Sequence, residues 1–162
     1  EPDPDELAGV VDLFGGLTRE ELQGAFADLA ARSGETLDRD ELSAAIDRAV
    51  EGYYLVVVDG AEGDGDDGGE PNDALLVAGP TSLPTLPEGG DDLPHLVDAE
   101  HRAVDPDVVG RAALARLSGD AARAVNDEDD ERVATLLDVC YDLEAWAPVE
   151  TAELRERLDA AQ

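Results

Sequence analysis

The chain has 162 residues, of which 41 are acidic and 11 basic, all of the latter arginine; the formal net charge is −30, yet 43% of the residues are hydrophobic. That balance excludes a disordered acidic tail, which would lack an apolar pattern, and it disfavours a surface built to hold phosphate or anionic lipid. The single cysteine, Cys140, excludes an internal disulfide, and no apolar run reaches the roughly 20 residues of a membrane-spanning helix.

Four helix starts follow one grammar in chain order: an acidic or hydroxyl cap, followed three residues later by Glu or one residue later by Pro. They are Asp3-Pro4-Asp5-Glu6, Thr18-Arg19-Glu20-Glu21, Asp38-Arg39-Asp40-Glu41 and Asp105-Pro106. Behind the second run Leu22, Ala25, Phe26, Leu29 and Ala30, with Leu17 as a staple and Gly34 as the stop. Behind the third run Leu42, Ala45, Ile46, Ala49 and Val50. These two helices match at an offset of 20 residues, which shared capping and packing needs explain without a repeat architecture.

After Gly52 the β-branched and aromatic run Tyr53–Val58 predicts a strand, with Ala74–Ala78 as its partner. Between them residues 59–73 hold seven acidic residues, five glycines and no base, which predicts a long solvated hairpin tip. Residues 79–88 carry three prolines and predict an extended path that covers the core through Leu83 and Leu86. Helices are then predicted over 106–125 and 128–146, with a break at Asn126-Asp127, and a short one after Pro148. Leu114, Leu117, Ala121, Ala124 and Val125 would face Val133, Leu136, Leu137, Cys140 and Leu143, with Trp146 capping the seam. The fold class expected is mainly α with a small β-hairpin. Its parts are a unit over 1–78, an extended connector over 79–104, and a helical hairpin over 105–162 packed on the first unit.

Chemistry-bearing patterns are sparse. His95 and His101, with Asp91, Asp92, Asp98 and Glu100 nearby, lack the spacing of a metal site. The acidic run from Asp64 to Glu70 begins like a calcium loop, but the twelfth position is Leu75 where a bidentate Glu is needed. Cys140 lies on an apolar stripe with no His near it in sequence, which predicts a buried thiol. No catalytic residue, metal site or cofactor is therefore assigned. One stretch departs from the acidity: Val108–Val125 carries Arg111, Arg116 and Arg123 against Asp120 alone. These arginines are the candidate contacts to an acidic partner or a phosphate, with pairing to Asp127–Glu131 as the structural explanation.

The excess of Asp and Glu, the absence of Lys, the few aromatics and a core of Ala, Val and Leu resemble proteins of salt-accumulating haloarchaea. Gly79–Pro87 and Leu143–Pro148 resemble parts of an uncharacterised haloarchaeal family spanning most of the chain. Three helices followed by a hairpin within residues 3–78 resemble the winged helix-turn-helix. In that family the third helix commonly enters the DNA major groove, which here falls on Asp38–Glu51 with five acidic residues against Arg39 and Arg48. The expected function is a non-catalytic protein-interaction or regulatory module that binds a protein or itself, in a reducing cytoplasm. The alternatives are a DNA-binding winged-helix regulator whose basic edge is Arg111, Arg116 and Arg123, and a metal-dependent enzyme. Because the chain opens on Glu1 and not Met, a trimmed N-terminus is also expected.

Overall fold

A computed structural model describes residues 2–58, 74–87, 89–96 and 102–161. The chain divides between Val104 and Asp105 into two compact units. Both are dominated by helix, and the described β structure is one small antiparallel sheet in the first.

The N-terminal unit begins with α1 (Pro4–Phe14), whose start is tied by the Asp3 amide donating to Glu6 Oε1 at 3.3 Å. Leu17 and Thr18 form a two-residue strand, β1, before α2 (Arg19–Ser33). Thr18 Oγ1 accepts from the Glu21 amide at 3.1 Å while Glu21 Oε1 accepts from the Thr18 amide at 3.0 Å, the reciprocal cap that the sequence predicts. Gly34, in the left-handed region, ends α2. Asp38 then caps α3 (Arg39–Glu51) by accepting from the Asp40 and Glu41 amides. The predicted stripe of α3 is wholly buried, and it joins Leu7, Val10, Val11, Leu22 and Phe26 in one core.

Strands β2 (Leu55–Val58) and β3 (Leu75–Ala78) pair antiparallel, with Val56 opposite Val77, and β1 pairs on the far edge of β3, so the strand order is β1-β3-β2. From the sequence, Leu17 and Thr18 are expected only as staple and cap, because two residues are too few to show a strand period. The second strand starts at Leu55, two residues later than its β-branched and aromatic run predicts. Tyr53 sits at φ 66, buried and outside the strand, because the Tyr53 and Tyr54 amides turn back to cap the Val50 and Ala49 carbonyls. Residues 59–73, read as the hairpin tip, lie outside the described residues.

Past β3 the chain crosses α1 through its backbone. The Thr85 amide donates to the Asp5 carbonyl at 3.1 Å and the Leu83 amide to Asp5 Oδ1 at 3.0 Å. The crossing is so close that a Cβ on Gly9 would run into the Thr85 carbonyl. Leu83 and Leu86 were expected to cover the core; they point outward instead, because main-chain contacts hold this segment and leave its side chains free to face water. Residues 90–96 are not extended: a 3-10 turn over Gly90–Asp92 leads into α4 (Leu93–Leu96), and Leu93 is driven into the core. Arg102 fastens the end of the unit. Its guanidinium grips both carboxylate oxygens of Glu21, at 2.6 and 3.2 Å, and donates to the Gly16 carbonyl at 2.9 Å. Gly15, at φ 85, makes room for the Arg102 carbonyl.

The C-terminal unit consists of α5 (Pro106–Asn126), α6 (Asp130–Trp146) and α7 (Ala152–Ala160), each packed on the other two. The α6 stripe is buried as the spacing predicts. On α5 the buried face is rotated from the predicted one: Val109, Gly110, Ala113, Leu117, Asp120, Ala121 and Ala124 point inward, while Val125 is exposed. A buried aspartate explains the shift, since a reading by hydropathy alone rejects it from the interior. Trp146 does not cap the seam either; it is 37% exposed and Ala147 takes the buried position, within contact of Gly110.

Candidate docking surfaces

The described residues of the N-terminal unit present two surface features. The first is the outer face of α3, where Asp38, Asp40, Glu41, Asp47 and Glu51 are exposed beside Arg39 and Arg48. Arg19 of α2 lies across that face, donating to Asp47 Oδ1 at 2.6 Å and to Ser43 Oγ at 3.2 Å. Four or five carboxylates per helix face repel a phosphate backbone, so this surface is chemically suited to cationic groups.

The second feature is a groove of about 510 Å³ where the start of α1, the end of α2 and the start of α3 meet. Phe26, Leu29, Leu37 and Leu42 give it an apolar floor; Glu6, Glu35, Asp38 and Glu41 outnumber Arg32 around it. Pro87, on the segment that crosses α1, closes one side. On that same segment Leu83 is 74% and Leu86 43% exposed. Sequence reasoning missed this surface because both leucines fit an apolar drape equally well, and only the main-chain bonds to Asp5 decide otherwise.

The carboxylate of Glu21 is held below the usual glutamate range, chiefly by the hydrogen bond from Arg102, against the opposing effect of burial. Both partners are at the surface edge of the unit, so the pair acts as a fastening for the chain end.

In the C-terminal unit the structure brings two of the three predicted arginines together. Arg116 Nε lies 3.5 Å from Asp120 Oδ2, Arg123 pairs with Asp120 Oδ1, and Arg132 from α6 reaches Oδ2 at 3.4 Å. Asp120 is 6% exposed. Arg111 is exposed and stands apart from this cluster. The acidic run at 127–131 was expected to pair with these arginines; Asp120, on their own helix, pairs with Arg116 and Arg123, and its i+4 and i−3 spacing to them is the signal that identifies it.

Cys140 is fully buried, and burial pushes its thiol above the usual range, which disfavours the nucleophilic thiolate. Nearby, Glu144 Oε2 accepts from the Thr151 amide and hydroxyl, each at 2.8 Å, and from Arg155 at 3.3 Å. The Thr151 amide bond is the main cause that holds the Glu144 carboxylate low. Arg155 stacks over the Tyr141 ring at 4.9 Å. These groups fix the turn into α7.

His95, Asp91 and Asp92 are exposed on the 3-10 turn and α4. Asp98, Glu100, His101 and the acidic run 64–70 lie outside the described residues. Among the described residues no cluster of three His, Cys, Asp or Glu side chains is placed to hold a metal ion. No described helix is long and apolar enough to cross a membrane.

Fold and surface together define a mainly helical protein with a small antiparallel sheet under an acidic coat. The chain belongs to the family of unknown function DUF7109, whose model matches residues 5–162. No curated protein and no solved structure matches it.

Proposed function

We propose that this protein is a non-catalytic interaction module adapted to a salt-rich cytoplasm, with its N-terminal unit a winged-helix scaffold that docks a polypeptide. The element order α1-β1-α2-α3-β2-β3 and the strand order β1-β3-β2 support the winged-helix reading. The observation that carries the docking reading is the apolar surface left uncovered at Leu83 and Leu86, beside a groove floored by Phe26, Leu29 and Leu37. Its acidic rim selects the occupant: a partner segment with apolar anchors flanked by arginine or lysine. The net charge of −30 implies a salt requirement, because at molar salt the Debye length is about 3 Å and self-repulsion is screened.

Cross-linking in extract at native salt, with the linked peptides mapped, tests this. The proposal expects a polypeptide partner linked near residues 29–42 or 83–87. Links confined to other surfaces would overturn it. The same element order favours one competing reading, a DNA-binding regulator. Duplex DNA retained in molar KCl, and released when Arg111 and Arg123 are replaced, would establish that reading in its place.

A further inference from the structure

We propose that α7 is a hinged cover on the C-terminal unit, latched by Glu144 of α6, and that it opens as one piece ahead of α5 and α6. Helices α2, α3, α5 and α6 each start on a side chain that accepts from an amide of their own first turn. Thr151, at the start of α7, makes no such bond. Its hydroxyl donates instead to Glu144 Oε2 at 2.8 Å and accepts from Arg155 Nε at 3.2 Å. The group that elsewhere steadies a helix start here fastens α7 to its neighbour. Helix α7 has nine residues, and isolated helices shorter than about 12 are marginal in water. It therefore depends on that fastening and on two buried side chains, Leu154 and Leu158.

The fastening converges on one atom. Glu144 Oε2 accepts from the Thr151 amide, the Thr151 hydroxyl and Arg155, so its loss unties three bonds together. Thr151 is 1% exposed, and its stranded donors would then have neither water nor a partner while α7 stays closed. Opening relieves them. The pivot is the link between the two helices: Ala147 is buried against Gly110 and holds the near end, whereas Pro148 and Glu150 are exposed. What the cover conceals is Cys140, which is fully buried. Burial pushes that thiol up, opposed by a hydrogen bond with Thr151, which places the sulfur beneath the start of α7. Opening of α7 exposes it. This device lies within the C-terminal unit and does not rest on the docking reading.

The chain has a single thiol, so its reaction with a maleimide in molar KCl reads the opening with no cysteine added. In the wild type the labelling rate is expected to rise with urea less steeply than global loss of helix does, because opening one helix exposes less surface than unfolding the unit. Glu144→Gln is expected to speed labelling about tenfold in chains that keep their helical circular dichroism. Thr151→Val removes the hydroxyl at nearly constant shape and provides a second variant, with the same direction expected. Glu156→Gln, on the exposed side of α7, leaves the rate unchanged. Wild-type labelling that follows urea as steeply as global unfolding overturns the proposal, whatever the variants do. So does a folded Glu144→Gln or Thr151→Val chain that labels at the wild-type rate.

Discussion

The two units handle the same acidity in opposite ways. Residues 1–104 carry 26 acidic residues and five arginines, whereas residues 105–162 carry 15 and six. With so few bases, the N-terminal unit keeps its described carboxylates out of the interior, and arginine ties two of them at its edge, Arg102 to Glu21 and Arg19 to Asp47. The C-terminal unit is rich enough in arginine to turn a carboxylate inward, with three guanidiniums around Asp120. The lesson is that local base supply, and not overall charge, decides whether an acidic residue can enter a packed face.

The largest effect that sharpens this contrast is a backbone one. Gly9→Val forces α1 and the Thr85 main chain apart, and about 3 kcal/mol or more of stability is expected to be lost from the N-terminal unit in thermal melts. Asp120→Ala leaves its three arginines facing one another; a loss of about 2 to 3 kcal/mol in the C-terminal unit is expected, reduced from the fully buried case because Arg123 is 71% exposed. Equal and small effects of Asp120→Ala and Glu21→Gln would break the contrast. Glu21→Gln itself is expected to cost about 1.5 kcal/mol, by loss of a charge-assisted bond to Arg102.

The pH dependence has a definite sign. Glu21 and Glu144 are both held below the usual value of 4.5, so the stability each contributes is present above that pH and is lost as pH falls through the lower folded value. In molar KCl, where general repulsion is screened, denaturation midpoints should fall as pH drops below 4.5, and the gap between wild type and Glu144→Gln should close over the same window. The smallest effect is at the exposed leucines. Leu83→Ser with Leu86→Ser is expected to change stability by less than about 0.5 kcal/mol while abolishing partner cross-links near the groove, a separation of binding from folding.

Most of the architecture was legible in the sequence because caps and stripes act locally. Thr18 with Glu21 and the Leu42–Val50 stripe needed no tertiary information. What stayed hidden depends on contacts between distant residues. The strand at Leu17-Thr18 exists because β3 passes beside it, and the outward turn of Leu83 and Leu86 follows from bonds to Asp5 some 78 residues away. Asp120 was hidden for a different reason: hydropathy excludes an aspartate from a buried face, although its spacing to Arg116 and Arg123 already neutralises it. The candidate surfaces were legible only in part, since Arg111, Arg116 and Arg123 were singled out with Asp120 counted beside them but not expected as the partner of Arg116 and Arg123.

The central claim is that apolar stripes hold this fold while salt quiets an acidic coat that is least offset by arginine in the N-terminal unit. Hydrogen exchange followed by mass spectrometry, with KCl lowered stepwise from molar concentration, measures it directly. The account predicts that amides of α1 and α3 lose protection at higher salt than those of α5 and α6. Protection retained by α1 and α3 in dilute buffer, or lost first by α5 and α6, would contradict it.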